Sequence, residues 1–233
     1  MTPRGVFITG TDTGVGKTIV ATALVRALVA QGQRVAVMKP VASGSQRTAQ
    51  GLRNEDALAL MAASNVAAPY DQVNPYCFEP AISPHIAAEE ACIAVDTAHI
   101  RRNFDTLAAA ADVIVVEGAG GWLAPLGPGI SIKDLATTLD LPVVLVVGVR
   151  LGCINHALLT KLAIESQGAR FAGWIANTID PGMPRQKENL ETLARQLGAA
   201  PLAVVPSLAA TAAPLALHEA ATHLFHPGRS RNA

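Results

Sequence analysis

The chain has 233 residues, half of them hydrophobic and few of them aromatic, and its 18 basic and 18 acidic residues cancel. That length suits one large α/β domain, because two halves would sit near the lower limit for independent cores. A neutral chain excludes a long-range field toward nucleic acid or an anionic membrane, so any anion site is built locally and a small-molecule partner is expected.

The opening residues Met1-Thr2-Pro3-Arg4-Gly5 lead straight into a strand, with no apolar core of a secretion signal, and no stretch reaches transmembrane length. Cys77, Cys92 and Cys153 are odd in number and far apart, which fits neither a disulfide framework nor a metal knuckle. A cytoplasmic, reducing location is therefore expected. Four short apolar runs, Val6 to Ile8, Val35 to Met38, Val113 to Val116 and Val143 to Val147, are continuous rather than alternating, the mark of strands buried on both faces. Phe171 to Ala176 and Leu202 to Val205 read as two more. Helical patterns lie between most of them, over Thr18 to Ala30, Asp96 to Ala110, Asn155 to Ser166 and Gln186 to Leu197. Alternating β and α predicts an α/β fold, a doubly wound and mainly parallel sheet with helices on both faces. Ligands in such sheets bind beyond the carboxyl ends of the strands, which directs attention to residues 10–18, 39–43, 117–121, 148–155 and 177–180. Residues 67–84 hold several prolines and little periodicity, so they read as a long ordered excursion or a lid, with Ser83-Pro84 placed to cap a following helix. Residues 227–233, small, polar and basic, read as a frayed tail on a single domain spanning 1–233.

Gly10-Thr11-Asp12-Thr13-Gly14-Val15-Gly16-Lys17-Thr18 follows the first strand and opens the first long helix. Small residues let successive backbone N–H groups point into one concavity, and the helix N-terminus adds positive potential. Lys17 is placed to reach outer phosphates and the Thr18 hydroxyl to ligate Mg²⁺. The spacing departs from G-x-x-x-x-G-K-S/T, since Thr11 holds the first glycine position and Gly10 lies one residue back. The fold type is accordingly that of a P-loop NTPase. Deviant-motif ATPases of that class carry an extra lysine near the start of the loop, where this chain has Gly10.

Glu117 stands directly after the third apolar run, where a carboxylate can position Mg²⁺, and Gly118-Ala119-Gly120-Gly121 leaves room for a ligand beside it. Lys39 follows the second run. It is either a compact cation that neutralises charge as a phosphoryl group moves, with Ser43 near the acceptor, or a solvated lysine at a strand end. Asp56 opens a short helix, where an acidic residue also complements the dipole, and Glu55 competes with it for a metal role.

The chain resembles the dethiobiotin synthetase family in the phosphate loop, in Lys39-Pro40-Val41-Ala42-Ser43-Gly44, in Gly51-Leu52-Arg53-Asn54-Glu55-Asp56-Ala57 and in Asn74-Pro75-Tyr76. The likeness continues through Ser83-Pro84-His85, Val116-Glu117-Gly118-Ala119-Gly120-Gly121-Trp122 and Gly152-Cys153-Ile154-Asn155-His156, in order to about Asn177. The resemblance implies a homodimeric ATP- and Mg²⁺-dependent cyclo-ligase of biotin biosynthesis. Its substrates would be 7,8-diaminononanoate, CO₂ and ATP, with the ring closed through a carbamate and a carbamic-phosphoric anhydride. It implies that Thr13, Gly14, Val15, Gly16, Lys17, Thr18 and Ile19 hold ATP together with Asp56, Glu117, Gly118, Ala119 and Gly120, and that Thr18, Asp56 and Glu117 serve Mg²⁺. Lys17 and Lys39 would be catalytic, and Ser43 would touch the substrate. By the same resemblance the backbone N–H groups of Gly152, Cys153, Ile154 and Asn155, a segment preceding a helix, would bind the substrate's distal carboxylate across the dimer interface, as suits a helix N-terminus. Asn177, Thr178 and Pro206 would meet the adenine.

Beside these, Cys153 reads as a packing residue, since no neighbouring feature activates a thiolate, and His156 as an ordinary helix residue. His218, His223 and His226 read as surface helix positions with no role. The likeness thins from Val204 onward, through Ser207 and the run Ala209 to Ala213. The competing functions are a nucleotide-dependent switch and a related amide-forming ligase.

Overall fold

The structure, a computed structural model, describes residues 4–206 and 217–225. In chain order its elements are β1 (Arg4–Gly10), α1 (Lys17–Ala30), β2 (Val35–Met38), β3 (Val41–Ala42), β4 (Gln46–Thr48), β5 (Gly51–Arg53), α2 (Glu55–Ala63), α3 (Tyr70–Val73), β6 (Tyr76–Cys77), α4 (Pro84–Glu90) and α5 (Thr97–Ala109). There follow β7 (Val113–Glu117), β8 (Pro125–Gly127), β9 (Ile130–Ser131), α6 (Ile132–Leu139), β10 (Val143–Val149), α7 (Cys153–Glu165), β11 (Phe171–Thr178), α8 (Gln186–Leu197), β12 (Ala203–Val205) and α9 (His218–Phe225).

Six strands form one parallel sheet in the order β12-β11-β10-β1-β7-β2. Each apolar run is a strand because both sheet faces are covered. Leu145, Val147 and Val149 pack with Trp174, Ala176 and residues of α7 and α8, while Val144, Val146 and Ile175 point into the larger core that includes α1. Chain order reverses at β1, which pairs with β7 on one side and β10 on the other. That reversal opens a crevice at the carboxyl ends of the central strands, the expected place for a ligand. Register aligns the parts: Ile8 of β1 lies opposite Glu117 of β7.

Residues 67–84 are an ordered excursion. They contain α3 and β6, and β6 pairs in parallel with β3. Ser83 does occupy the N-cap of α4, with Pro84 at the first helical position, but its side chain caps nothing; Ser83 Oγ lies 2.9 Å from His85 Nδ1. The helix expected to open at Asn155 opens at Cys153, because Gly152, at φ 92°, supplies the left-handed residue that starts it. Cys153, Ile154 and Asn155 therefore belong to the first turn of α7 rather than to a segment before it. The strand pairs β4–β5 and β8–β9 were not expected, since strands of two or three residues carry too little pattern to read.

Candidate functional site

β1 ends in the phosphate loop. A Cβ on Gly10 would stand 2.7 Å from Val15 Cγ2, so only glycine lets the loop fold back on the strand. Gly14 and Gly16 have φ of 74° and 84°, the left-handed backbone that turns successive N–H groups inward. Gly16 is the N-cap of α1 and offers no side chain, so the first-turn N–H groups are left for a ligand. Lys17 Nζ donates to the Asp12 carbonyl oxygen at 3.0 Å. The Asp12 carboxylate accepts from Thr13 N at 2.7 Å and pairs with Arg150 Nη2 at 2.7 Å, which ties the loop to the residue just after β10.

Three other elements bring charge to the same crevice. Glu117 is the last residue of β7 and is fully buried. Lys39 follows β2 and is 3% exposed. Asp56 sits in the first turn of α2, whose N-cap Asn54 accepts from Asp56 N at 3.1 Å and from Ala57 N at 3.2 Å. Asn54 is itself held, its N–H donating to Tyr70 Oη at 2.7 Å. Lys39 Nζ lies 2.6 Å from Glu117 Oε1 and 3.0 Å from Asp56 Oδ2, and Thr18 Oγ1 donates to the same Glu117 Oε1 at 2.9 Å.

The two lysines are tuned in opposite directions. Burial, helped by repulsion from Lys39, draws Lys17 down to about 8 despite Glu117, Asp56 and Asp12 nearby. Burial also works against the charge on Lys39, but Glu117 and Asp56 outweigh it and hold Lys39 above the ordinary lysine value. For Asp56, burial is outweighed by Lys39, by the Thr18 hydroxyl and by Lys17, which together keep its carboxyl below the usual range.

A cavity of 740 Å³ joins these groups, within the size range of small-molecule sites. It is lined by Thr13, Gly14, Gly16, Lys17, Thr18 and Ile19 of the loop and α1, by Lys39, Ser43 and Asp56, and by Glu117, Ala119 and Gly120. Residues expected around the nucleotide but not lining this cavity are also placed. Val15 is buried in the core, and Gly118 packs on Phe7 and Ile132 while its carbonyl faces Lys39 Nζ at 3.3 Å. Asn177 Nδ2 donates to the Val15 carbonyl at 2.8 Å, and Thr178 Oγ1 accepts from Gln186 Nε2 at 2.9 Å. Pro206 is exposed just after β12. Gly152, Cys153, Ile154 and Asn155 do not line the cavity of their own chain either.

Mg²⁺ favours oxygen donors, and Thr18, Asp56 and Glu117 supply a hydroxyl and two carboxylates. Glu117 Oε2 is buried with no hydrogen-bond partner, an acceptor that the protein alone leaves unsatisfied. The residues present therefore fit the ion. Among the described residues no group of three or more His, Cys, Asp or Glu gathers.

A family model described as an AAA domain matches residues 4–214. The ATP-dependent dethiobiotin synthetase of Pseudomonas paraeruginosa is 54% identical over 204 residues, covering 87% of this chain and 90% of that one. The enzyme of the same name from Aromatoleum aromaticum is 52% identical over 207 residues, covering 89% and 92%. The chain belongs to the dethiobiotin synthetase family. Solved structures resemble this family member in fold at much lower identity. The septum site-determining protein MinD complexed with Mg-ADP from Pyrococcus horikoshii aligns over 97% of each chain at 14% identity with a TM-score of 0.61. MinD from Aquifex aeolicus aligns over 98% of this chain and 99% of its own at 17% identity, also with a TM-score of 0.61.

Some of the site escaped the sequence reading. Asn54, Ala81 and Ile82 line the cavity, and Asp12 with Arg150 braces the loop. Asn54 had a signal, an N-cap residue before two acidic positions, whereas a pair as distant along the chain as Asp12 and Arg150 had none. Cys153 is buried among packing residues and His156 is exposed on α7, as expected. His218 and His223 are exposed on α9, while His226, Ser207, Ala209 to Ala213 and the tail 227–233 lie outside the described residues.

Proposed function

We infer that this family member is an ATP- and Mg²⁺-dependent cyclo-ligase that makes dethiobiotin from 7,8-diaminononanoate and CO₂. One observation carries the assignment of roles: the phosphate loop with Lys17 and the segment with Lys39 and Ser43 line a single cavity. In this reading an amine of the substrate takes up CO₂ as a carbamate, a carbamate oxygen attacks the γ-phosphate, and the second amine displaces phosphate to close the ring. The bare N–H groups of the loop and of the first turn of α1 hold the phosphates, and Lys17 neutralises charge on the outer ones. Thr18, Asp56 and Glu117 hold Mg²⁺, which when bound offsets phosphate charge. Ser43 orients the acceptor, and Lys39 stabilises negative charge on the carbamate and the moving phosphoryl group. Asn177, Thr178 and Pro206 stand on the side assigned to the adenine.

We also propose a homodimer. The face of α7 bearing Cys153, Ala157 and Ile164 is buried, but Leu151, Leu159 and Leu162 are 89%, 57% and 64% exposed. A second copy would cover these leucines and bring the uncapped N-terminus of α7 to the other chain's cavity, where its N–H groups would receive the distal carboxylate. Among the described residues no helix is long and apolar enough to cross a membrane, and Cys77, Cys92 and Cys153 are free thiols. The free thiols favour a cytoplasmic location, and one domain across the chain remains our reading of its organisation.

The test is coupled turnover. Purified protein is expected to form ADP only when diamine and CO₂ are both present, with dethiobiotin appearing in step; ATP turnover indifferent to the diamine would point to a nucleotide switch instead. Lys39→Ala is expected to lower turnover far more than ATP affinity, because the charge is used chiefly in the transition state. Unchanged turnover would remove Lys39 from the chemistry.

A further inference from the structure

An ammonium has three N–H donors, and those of Lys39 face three acceptors inside the protein. These are Glu117 Oε1 at 2.6 Å, Asp56 Oδ2 at 3.0 Å and the Gly118 carbonyl at 3.3 Å. No donor is left for a carbamate or phosphoryl oxygen, so a Lys39 that serves the substrate must first let go of something. The groups it holds are informative. Asp56 and Glu117 are the two carboxylates that fit a divalent cation, and Thr18, the third candidate ligand, donates to the same Glu117 oxygen. Glu117 Oε2 remains buried and unpaired beside them.

We propose that Lys39 is the resident counter-ion of the Asp56 and Glu117 carboxylates, and that it gives up this place to a divalent cation, which frees its ammonium for the substrate. The proposal rests on the role given to Lys39 above and adds to it a reason for the timing. Glu117 is fully buried, and the Asp56 side chain, 43% exposed, leans on the same ammonium; a buried carboxylate without a cation is costly, so an empty site needs a counter-ion that the chain itself supplies. A divalent cation at the same oxygens repels the nearby ammonium and, with its double charge, offsets the two carboxylates more fully than a single ammonium does. Lys39 is thereby withheld until the metal arrives, and metal uptake and deployment of the lysine become one event.

The experiment uses the full chain without nucleotide and Mn²⁺ as probe, with free Mn²⁺ counted by electron paramagnetic resonance. Lys39→Met removes the competitor, so Mn²⁺ is expected to bind at least roughly tenfold more tightly than to the unmodified protein. Equal or weaker binding overturns the exchange. Because the variant leaves Glu117 without its partner, thermal melts are recorded with and without Mn²⁺, and the ion is expected to raise the melting temperature of Lys39→Met more than that of the unmodified protein. Crystals of the unmodified protein soaked in Mn²⁺ decide the matter even if the variant does not fold. The Lys39 Nζ is expected beyond about 4 Å from Glu117 Oε1, outside ion-pair contact; an ammonium still in contact, with Mn²⁺ on Oε2, overturns the proposal. Lys39→Met that loses turnover at unchanged Mn²⁺ affinity sinks the exchange and leaves the ring-closing reading standing. Full turnover in that variant sinks both the exchange and the catalytic role of Lys39.

Discussion

Asn177 Nδ2 donates to the Val15 carbonyl oxygen across 2.8 Å, fastening β11 to the middle of the phosphate loop. A carbonyl only accepts, so the amide nitrogen and not its oxygen must point at Val15. The same nitrogen fills the space beside Gly16, where an added Cβ would lie 2.1 Å from it.

Asn177→Ala is therefore expected to cost about 1–3 kcal/mol, the scale for leaving a buried carbonyl unsatisfied, and to weaken ADP binding by loosening the loop. Gly16→Ala adds a clash with Asn177 to an unfavourable φ of 84°. In the double variant the clash is gone, so the combined loss should fall short of the sum. Thermal melts of the four proteins read this directly, and strictly additive losses would show that the two residues do not share the space.

Lys17 provides a pH dependence. With its pKa drawn to about 8, it is charged at pH 7 and largely neutral at pH 9, so ADP affinity should fall across that interval. Stability moves the other way. The unfolded chain keeps this proton up to the model-peptide value of 10.5 while the folded chain releases it at about 8, so between those limits the unfolded state binds more protons and the Lys17 contribution rises with pH. Calorimetric titration with ADP at three pH values is the check, and an affinity that does not change from pH 7 to 9 would contradict a neutralised Lys17.

Glu117→Gln keeps the shape and one acceptor for Thr18 and Lys39 but removes the charge. Turnover should drop on the order of a hundredfold, the scale of losing one preorganised electrostatic group. Mn²⁺ binding to the nucleotide-free protein should be abolished, and circular dichroism should show the fold retained. Truncation to alanine is the harsher change, since breaking a buried pair from one side costs about 3–5 kcal/mol. Retained Mn²⁺ binding in Glu117→Gln would take this carboxylate out of the metal site.

Leu162→Asp places a charge on the exposed face of α7, away from the cavity. Sedimentation should then report a mass close to that of one chain, with ADP affinity kept and diamine affinity lost. A monomeric variant that still binds diamine normally would show that each chain completes its own substrate site.

Much of this was readable in the chain itself. The six strands of the sheet announced themselves because runs such as Val113 to Val116 are apolar on both sides, and the phosphate loop because glycine, lysine and threonine fall between a strand and a helix. Lys39 and Asp56 were ambiguous in isolation, since a strand-end lysine and an acidic first helical turn both have ordinary uses. Tertiary placement brings them together, by setting Lys39 Nζ between Asp56 and Glu117. Glu55, the rival of Asp56, instead accepts from Gln46 Nε2 at 2.9 Å on the exposed side. The contact of Asn177 with Val15 was beyond reach, because nothing along the chain tells which groups an amide at a strand end will meet.

The pairing of Ile8 with Glu117 divides the site mechanically. Glu117 and the start of the phosphate loop hang from neighbouring strands at the middle of the sheet, stitched together by main-chain hydrogen bonds, and cannot slide without breaking its centre. Ser43, Asp56 and the residues from Ala81 to Pro84 come instead from the length of chain between the edge strand β2 and α5. The two sides of the cavity thus have separate origins, one in the centre of the sheet and the other in the connection that leaves its edge.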